Sequence, residues 1–513
     1  MSAPTTGSAR TAHTTQVPAR LLALHARARA VAEAVLADPP AATGHVPEDT
    51  GELLQGLVDH ACRTRAPRDA WVLFVAVCGQ FPEPTDVVEL TGRLELARSS
   101  AEVAAHLLHR AAQTRSAPGD AERGLTMAVG TVVIDVDHAA RRNRHTGIQR
   151  VTREVCTRWS TAHEITLAAW NDEQTALRAL TAHEQSRVLD WQGGYNSTPS
   201  DLAQSAAAPI VVPWECTVVL PEVAQGMTAR TLACLAQYSG NSVVAVGYDA
   251  IPVTSADLRP PGEPNMYVRY LNVIKHSRRV AAISSSAAAE FHGFSEAVRA
   301  QGLRGPQVTE VTLAAESRPE PAGVTPPVTA DRPRVLCVGS HEPHKNHLAV
   351  LHAAELCWRD GLDFELVFIG GPGWASPEFD PQLRMLARRG RRVSSLGNVS
   401  DDELWSAYRS ATCTVFPSVH EGFGLPVAES LACGTPAITT VYGSTGDIAA
   451  HGGCLVIDPR DDHAIAAALR TMLSDHATYA RLKAEAAGFP TKTWDEYSAE
   501  LWTTLVGERA SGR

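Results

Sequence analysis

Short apolar runs that alternate with stretches of helical spacing are the feature that most constrains how this chain folds. Each run is followed by a polar or glycine-bearing loop and then by a helical stretch, and such alternation predicts parallel βαβ units. The clearest runs are residues 132–135, 243–247, 334–338 and 413–416. The alternation is interrupted once, by a proline-rich stretch at residues 316–333 that predicts a hinge. We therefore predict two α/β domains.

The chain before this alternation is predicted to be helical. Apolar residues recur at helical spacing between Leu21 and Val35, and the prolines at residues 39–40 and 82–84 indicate loops between helices. The block has no cluster of histidines, cysteines or acids, so we expect it to be dispensable for ligand binding elsewhere. The predicted organisation is a disordered tail (1–17), a helical domain (18–124), two Rossmann-like domains (125–320 and 334–488), a linker between them (321–333) and a C-terminal segment (489–513).

Composition argues against several classes of protein. A net charge of −10 and a pI near 6.1 argue against a nucleic-acid-binding protein, which is usually basic. The cysteines are scattered without a C-x-x-C pair, which favours reduced thiols and no structural zinc. Residues 1–16 lack the apolar core of a secretory signal, and no apolar run approaches the roughly 20 residues that span a bilayer. A cytoplasmic protein is expected.

One strand-to-helix junction carries the strongest chemical signal. The run that ends at Pro417 leads into His420-Glu421-Gly422-Phe423-Gly424-Leu425-Pro426, and Glu429 follows about one turn into the next helix. The start of such a helix favours an anion, and the glycines let the backbone approach a ligand closely. The two carboxylates can accept hydrogen bonds from hydroxyl groups. The predicted ligand therefore carries both phosphate and hydroxyl groups, as a nucleotide sugar does. The alternative is an ordinary βα turn with two solvated acids.

A second junction supports the nucleotide-sugar interpretation. The run at residues 334–338 is followed by Gly339 and Ser340 and then by Lys345, ahead of an apolar-periodic helix. Lysine occurs only four times in the sequence, so a lysine at this junction is less readily explained as general surface charge. A hydrogen bond between a cation and phosphate contributes about 1.5–3 kcal/mol, against about 0.3–1 kcal/mol for a helix dipole. Lys345 is therefore predicted to be the main phosphate ligand.

With both junctions in view, residues 334–473 resemble the donor domain of retaining glycosyltransferases of the GT-B fold, family 4. The motifs that carry the resemblance are Val338-Gly339-Ser340, Glu342-Pro343-His344-Lys345-Asn346, Phe368-Ile369-Gly370-Gly371, Leu396-Gly397-Asn398-Val399-Ser400 and Glu421-x7-Glu429. The resemblance implies two Rossmann-like domains that face each other across a cleft, the first for the acceptor and the second for the donor. It also implies that the C-terminal segment is a helix crossing back onto the first domain.

The resemblance implies roles for individual residues. Lys345 would bind the donor pyrophosphate, beside Gly339 and Ser340, and Val399 would end the turn that borders the base. Glu429 would bind the ribose hydroxyls. The transferred sugar would be held by Glu421 and by the backbone of Gly422, Phe423, Gly424 and Leu425. Ser340 and His344 stand where many relatives have arginine, so one phosphate-binding cation is either missing or supplied by the other domain.

The first α/β domain also resembles the family, at two places. The loop Thr146-Gly147-Ile148 resembles the family's first glycine-bearing loop, so Gly147 would face the donor phosphates. Tyr248-Asp249 resembles a segment in which members usually have His-Asp, so both residues are assigned to the acceptor side. Since a tyrosine replaces the histidine, any role of an imidazole at that position is in doubt.

The function implied by the resemblance is transfer of a sugar, with mannose as one candidate, from a nucleoside diphosphate sugar to a hydroxyl acceptor with retention of configuration. The acceptor would be a glycan, a lipid-linked molecule or a protein, as in polysaccharide or glycoconjugate biosynthesis. Same-face attack is preferred to a covalent intermediate, with Lys345 and helix dipoles stabilising the departing pyrophosphate and Glu421 positioning the sugar. No cofactor and no metal are expected.

Three alternatives stay open at this point. Asp135-Val136-Asp137 has the form of a metal-binding D-x-D, although a polar end to the strand before it explains the same residues. Two basic clusters could contact anionic headgroups, substrate phosphates or only solvent; they are Arg141, Arg142, Arg144 and Arg150, and Lys275, Arg278 and Arg279. The third alternative is a GT-B-like protein that binds nucleotides or glycans without catalysis.

Overall fold

The computed structural model describes residues 18–113, 123–143, 146–191, 196–318 and 332–507. The predicted disordered tail (1–17) lies outside the described residues, as does most of the predicted linker (321–333). In the described part of the chain, no helix combines the length and the apolar character needed to cross a membrane.

The described part of the region before the first strand is helical, as the periodicity predicted. Its helices are α1 (Ala19–Val35), α2 (Val46–Thr64), α3 (Pro67–Cys78), α4 (Pro84–Leu96) and α5 (Ser100–Gln113). Prolines lie in the first turns of α2, α3 and α4, where the missing amide hydrogen breaks no helical hydrogen bond. Helix α3 ends at Gly79, which adopts the left-handed conformation at φ 67°. The predicted loops at residues 39–40 and 82–84 separate α1 from α2 and α3 from α4.

The first α/β domain is built on a nine-stranded sheet, counted over the described residues. Its strands are β1 (Leu125–Val129), β2 (Val132–Asp135), β3 (Ile165–Trp170), β4 (Leu177–Ala179), β5 (Ile210–Trp214), β6 (Thr217–Leu220), β7 (Ser242–Gly247), β8 (Arg279–Ala282) and β9 (Gln307–Glu310). Its helices are α6 (Asp137–Arg141), α7 (Gly147–Ala162), α8 (Ala182–Leu189), α9 (Pro199–Ala207), α10 (Thr228–Tyr238), α11 (Ile251–Thr254), α12 (Glu263–His276) and α13 (Ser285–Ala300). The strand order is β1-β5-β4-β3-β2-β6-β7-β8-β9, and only the pairings of β4 are antiparallel.

The second α/β domain has six parallel strands in its described residues. They are β10 (Arg334–Val338), β11 (Glu365–Ile369), β12 (Val393–Ser395), β13 (Cys413–Phe416), β14 (Ala437–Thr440) and β15 (Cys454–Ile457). The helices are α14 (His347–Arg359), α15 (Ser376–Arg388), α16 (Asp401–Ser410), α17 (Leu425–Ala432), α18 (Gly443–Ala449), α19 (Asp462–Ser474) and α20 (His476–Ala487). The strand order is β12-β11-β10-β13-β14-β15. Successive strands are added towards one edge of the sheet from β10 and towards the other edge from β13, so the strand order reverses between β10 and β13. Ligands of such open sheets bind at the carboxyl ends of the strands, at that reversal.

The last helix of the described chain, α21 (Trp494–Leu505), lies against the first α/β domain. The indole of Trp159 in α7 donates a hydrogen bond to the carbonyl of Ser498 (2.9 Å) and its ring contacts Trp502 edge-on. Arg279 of β8 donates to the carbonyl of Leu505 (3.2 Å). The chain therefore returns to its first α/β domain after completing the second.

The helical region and the first α/β domain share one apolar core. Trp71 of α3 packs on Phe81, and Phe81 packs on Trp170 of β3, with ring centroids 5.1 and 6.1 Å apart. The amide of Phe81 also donates to the carbonyl of Thr175. Arg27 of α1 is buried and donates to the carbonyls of Ala76 and Val77. This shared packing revises the expectation that the helical region is dispensable, because its removal would expose the core of the neighbouring domain.

Candidate functional site

The loops after β10 and β13 meet at the reversal of the second sheet. The first loop ends in a short 3-10 turn, Pro343–Lys345, and the second runs from Pro417 into α17. Lys345 Nζ lies 2.6 Å from Glu421 Oε1, and both side chains are largely shielded from solvent. The two residues that the sequence singled out from junctions 76 positions apart are therefore direct partners.

Two serines that the sequence analysis did not single out hold Glu421. The hydroxyl of Ser418 donates to Glu421 Oε1, the same oxygen that binds Lys345, and the hydroxyl of Ser444 donates to the backbone carbonyl of Glu421 (2.9 Å). In the described structure, no protein donor is bonded to Oε2 of Glu421. One oxygen of this carboxylate is thus fixed by protein, and the other is available to a ligand.

The loop around Gly339 packs directly on the loop after β11. A Cβ atom on Gly370 would lie 2.0 Å from the carbonyl oxygen of Gly339, so only glycine fits there. Gly339 itself has φ 146°, and Ser340 donates its hydroxyl to Glu342 Oε1 (2.7 Å). Ser340 therefore binds an acid of its own loop and brings no positive charge to the site.

His344 cannot replace the arginine that relatives have at this position as a cation. Its side chain is buried, and burial, followed by the charges of Lys345 and Arg259, lowers the pKa of His344 to about 2. The imidazole is therefore neutral at physiological pH. His347, at the start of α14, is neutral for the same main reason, since burial lowers the pKa of His347 to about 3.

A cation does reach this loop from the first α/β domain. Arg259 Nη1 lies 3.2 Å from Glu342 Oε2, and its guanidinium lies over the ring of Trp374 at 4.5 Å. The Trp374 indole in turn donates to the carbonyl of Leu258 (3.3 Å). No local pattern pointed to Arg259, because its partner Glu342 is 83 positions further along the chain.

The turn from Gly422 to Leu425 faces the first α/β domain at close range. A Cβ atom on Gly422 would lie 2.6 Å from the carbonyl oxygen of Tyr248, and the Ser284 hydroxyl donates to the carbonyl of Gly422 (2.6 Å). Gly147 lies opposite Leu425, whose Cδ1 would be 3.6 Å from an added Cβ atom. The two glycine-bearing loops therefore stand on opposite sides of one cleft.

The remaining turn residues shape the start of α17. Gly424 precedes the helix and has φ 96°, a conformation that favours glycine. A Cβ atom at Gly424 would also lie 2.6 Å from the Thr445 side chain, so a larger residue does not fit. Phe423 is buried in the apolar cluster that joins the two domains. Val399 lies after the turn at Gly397 (φ 66°) and packs beside α16.

Tyr248 and Asp249, which the resemblance assigned to the acceptor side, are placed differently from each other. The Tyr248 side chain is buried within its own domain, where the phenol donates to the carbonyl of Pro221 (2.7 Å). Asp249 lies at the cleft and accepts a hydrogen bond from the amide of Ile251 (3.1 Å). Burial raises the pKa of Asp249 to about 6, and the neighbouring carboxylates of Glu290 and Glu421 add to that effect.

His420 connects the two domains beside Asp249. Its Nε2 lies 3.0 Å from Glu290 Oε1 of α13, and its Nδ1 lies 3.0 Å from the hydroxyl of Ser255. The other oxygen of Glu290 accepts from the amide of Ala250 (2.6 Å). The hydrogen bond to Glu290 raises the pKa of His420 above its ordinary value, against the opposing effect of burial. An imidazole is therefore present at this cleft, although it comes from the opposite domain.

Glu429 is buried in α17 and is bound from two sides. Arg150 of α7 forms an ion pair with Oε1, and the phenol of Tyr408 donates to Oε2 (3.0 Å). The Arg150 guanidinium lies over the rings of Trp405 and Trp494, 5.7 and 5.6 Å from their centroids. The suggestion that Arg150 contacts headgroups or solvent is therefore wrong, because its charge is turned inward.

Arg141 of the first basic cluster has acidic partners of its own. Arg141 pairs with Asp137 and Asp172, and Arg144 lies outside the described residues. In the second cluster, Arg279 binds the end of α21.

Asp135 and Asp137 have local partners. Asp135 accepts from the indole of Trp170 (2.9 Å) and from the amide of Asp137 (3.2 Å), and Asp137 accepts from the amide of Trp170 (3.0 Å). Burial, with the charge of Asp137, raises the pKa of Asp135 to about 7. Over the described ranges, no group of three or more His, Cys, Asp or Glu side chains is arranged to hold a metal ion.

Comparison with solved structures decides the architecture. A sucrose-phosphate synthase from Thermosynechococcus elongatus superposes with a TM-score of 0.53 at 14% sequence identity, covering 74% of this chain and all of that one. The fold is GT-B. The helical region at the start of the chain precedes the two GT-B domains and is fused to the first of them.

Comparison with known sequences gives a family model for the second GT-B domain and several partial relatives. Residues 326–489 match the family model for glycosyl transferases group 1. The O-antigen chain mannosyltransferase B of Escherichia coli is 35% identical over 144 residues, which is 27% of this chain and 36% of that protein. A D-inositol 3-phosphate glycosyltransferase of Rhodococcus opacus is 34% identical over 158 residues, 30% of this chain and 35% of that protein. The chain thus spans about a third of the length of these curated relatives.

Proposed function

We propose that this protein transfers a sugar from a nucleoside diphosphate sugar to a hydroxyl group of a glycan or glycoconjugate acceptor. The observation that carries the proposal is the Lys345–Glu421 pair at the strand reversal of the second sheet, opposite the Gly147 loop. The match of residues 326–489 to group 1 glycosyl transferases supports it. The non-catalytic alternative is not favoured, since the relatives named above are transferases.

Lys345 is the proposed ligand of the donor diphosphate. An ammonium group has three donors, so Lys345 can keep its bond to Glu421 Oε1 and still donate to phosphate oxygens. At the start of α17, the amides of Gly424 and Leu425 have no protein acceptor in the described structure and favour negative charge nearby, whereas those of Val427 and Ala428 bond the Gly424 carbonyl. As the bond to the sugar breaks, charge builds on the departing diphosphate, and these fixed donors stabilise it without reorganisation.

Glu421 is the proposed ligand of the transferred sugar, and Glu429 that of the ribose. The oxygen Oε2 of Glu421 is free of protein donors in the described structure and can accept from sugar hydroxyls. Because Lys345 and Ser418 hold its other oxygen, Glu421 suits positioning better than nucleophilic attack. We therefore propose a family 4 reaction without a metal ion, in which the acceptor attacks on the face that the diphosphate leaves, so that configuration is retained.

Mannose is the first sugar to test, because the O-antigen chain mannosyltransferase B is among the relatives of this chain. The first measurement is a thermal-shift screen of the purified protein against GDP-mannose and other GDP, UDP, ADP and TDP sugars. The second is release of the nucleoside diphosphate from the best ligand, with and without EDTA. We expect slow, EDTA-resistant release that Glu421→Gln reduces while the affinity for free nucleoside diphosphate stays near that of the wild type.

Two results would count against the proposal. Binding of a nucleotide sugar with no release, even when glycan acceptors are supplied, would indicate a binding protein. Complete loss of activity in EDTA, restored by magnesium or manganese, would instead contradict the metal-free reaction and return attention to Asp135 and Asp137. The anomeric configuration of an isolated product, read by NMR, decides retention separately.

A further inference from the structure

The buried cluster around Glu429 joins both GT-B domains and the last helix. Its charged pair is Arg150 of α7 with Glu429 of α17, and Tyr408 of α16 binds the second carboxylate oxygen. The guanidinium also lies over the rings of Trp405 and Trp494. Glu429 is 4% exposed, so water contributes little to its solvation. The carboxylate is therefore held almost entirely by groups of the protein.

Stability alone does not explain an arginine at this place. Arg150 lies near the start of α7, where the helix dipole disfavours a cation. A buried ion pair must also overcome the desolvation of both charges, and well-packed apolar residues of similar volume are often no less stable. Burial lowers the pKa of Arg150, but the charge and hydrogen bond of Glu429, together with the charges of Glu154 and Asp401, raise it by more, so the guanidinium stays charged. The Arg150–Glu429 pair is thus expected to add little to the free energy of unfolding.

In the described structure, the same carboxylate keeps acceptor positions that no protein donor fills. Each oxygen of a carboxylate can accept about two hydrogen bonds. Arg150 takes one position on Oε1 and Tyr408 takes one on Oε2. The two positions that remain belong to different oxygens, which suits two neighbouring hydroxyl groups. Because both oxygens are clamped, the carboxylate cannot rotate away from the direction that these bonds impose.

We propose that Arg150 is a positioning residue that orients Glu429 to receive the 2′- and 3′-hydroxyls of the ribose. The first GT-B domain would then contribute to nucleotide selectivity through Arg150, a side chain that would not itself contact the nucleotide. This inference rests on the proposed function, in which Glu429 binds the ribose.

The test is the preference for ribonucleotides over deoxyribonucleotides. Calorimetry would give dissociation constants for ADP, GDP and UDP and for their 2′-deoxy forms, with the wild type, Arg150→Met, Glu429→Gln and Arg158→Met. We expect the wild type to prefer its ribonucleotide about tenfold or more, since a hydrogen bond to a charged group contributes about 1.5–3 kcal/mol. Arg150→Met should lose most of this preference through weaker binding of the ribo form, with little change for the deoxy form.

Arg158→Met is the matched control. Arg158 lies on the same helix and pairs with Asp495 of α21, but it does not contact Glu429. Its preference for ribonucleotides should equal that of the wild type, whereas a general loosening of α7 would alter both variants. If Arg150→Met does not melt cooperatively, Arg150→Lys takes its place in the test. Lysine keeps the charge but not the guanidinium geometry. We therefore expect Arg150→Lys to prefer ribonucleotides less than the wild type does but not to lose the preference.

The outcomes separate this inference from the proposed function. If Glu429→Gln loses the ribose preference while the Arg150 variants keep it, the positioning role of Arg150 is overturned and the proposed function stands. If Glu429→Gln also keeps the preference, the ribose assignment itself is wrong. If no ribonucleotide binds the wild type, the proposed function fails and this inference fails with it.

Discussion

The two sides of the cleft are constructed in different ways. On the donor wall (Lys345, Ser418, Glu421 and Ser444), the polar partners all belong to one domain, in the segments that follow β10, β13 and β14. On the N-terminal wall (Arg150, Arg259, Ser284 and Glu290), each side chain instead binds a residue of the opposite domain. The donor wall is therefore assembled by the folding of its own domain, whereas the N-terminal wall acts only when the two domains meet.

The cores differ in the same sense. Much of the second domain is packed around two apolar clusters made of its own residues. One cluster includes Phe364, Phe368 and Leu469, and the other includes Trp405 and Tyr408. The first domain shares its core with α1–α5 and with α21. Changes in the donor wall should therefore alter ligand binding directly, while changes on the N-terminal side should act through packing or through domain closure.

The largest expected effect comes from removing the helical region. A chain that begins near Leu125 would expose the surface around Trp170 that Phe81 and Trp71 cover. Truncating even one large buried aromatic side chain commonly destabilises a protein by about 3–5 kcal/mol. We expect this shortened chain to lose its cooperative melt. A cooperative melt with normal nucleotide binding would show instead that the N-terminal wall stands without the helices.

The next effect is that of Lys345→Ala on the donor wall. Loss of a charge-assisted hydrogen bond of about 1.5–3 kcal/mol weakens binding roughly ten- to hundredfold. We expect that loss in the affinity for nucleoside diphosphate, measured by calorimetry. Lys483→Ala is the control, since Lys483 is exposed and lies over Tyr479, away from the cleft. An unchanged affinity in Lys345→Ala would remove the phosphate assignment.

Two glycine substitutions separate closure from ligand contact. Gly422→Ala places a Cβ atom 2.6 Å from the Tyr248 carbonyl oxygen, so the backbone on one side of the cleft must shift, and we expect a changed domain arrangement, a lower melting temperature and lower kcat. Gly147→Ala makes only an ordinary 3.6 Å contact with Leu425, so the melt and the shape should not change. If Gly147→Ala binds the donor more weakly while its shape is unchanged, the ligand contacts this loop. Equal shapes for both variants would contradict the proposed closeness of the walls.

The smallest effect concerns pH and His420. The pKa of His420 is raised, so its ion pair with Glu290 stabilises the contact between the domains fully at a pH below the ordinary histidine pKa of about 6.5. That stabilisation is lost as the pH rises through the raised pKa. The groups that face His420 are Glu290, Asp249 and Glu421, with Ser255 on its other nitrogen. We expect KM for the donor to rise a few-fold across this range. His420→Gln should flatten that rise, and a rise of equal size in the variant would assign it to another group.

The sequence alone was sufficient for what depends on local pattern. Apolar periodicity predicted the helical region and two α/β domains, because burying one face of a helix or both faces of a parallel strand imposes that periodicity. The junctions containing Lys345 and Glu421 stood out because glycines, prolines and charges at strand ends are local features. The reversal between β10 and β13 then brings the two junctions together in space.

The tertiary structure alone decided the partners that lie far apart in the chain. Arg150 looked like one member of a basic cluster, yet it is half-buried and pairs with Glu429, 279 positions later. Arg259 and Glu290 carried no motif, and Tyr248 looked like a cleft residue although its phenol is turned into the domain. The helical region, which seemed separable, shares a core with its neighbour. Spacing along a sequence records which residues share a face of one element, whereas contacts between domains depend on how those faces are brought together, and no local pattern encodes that.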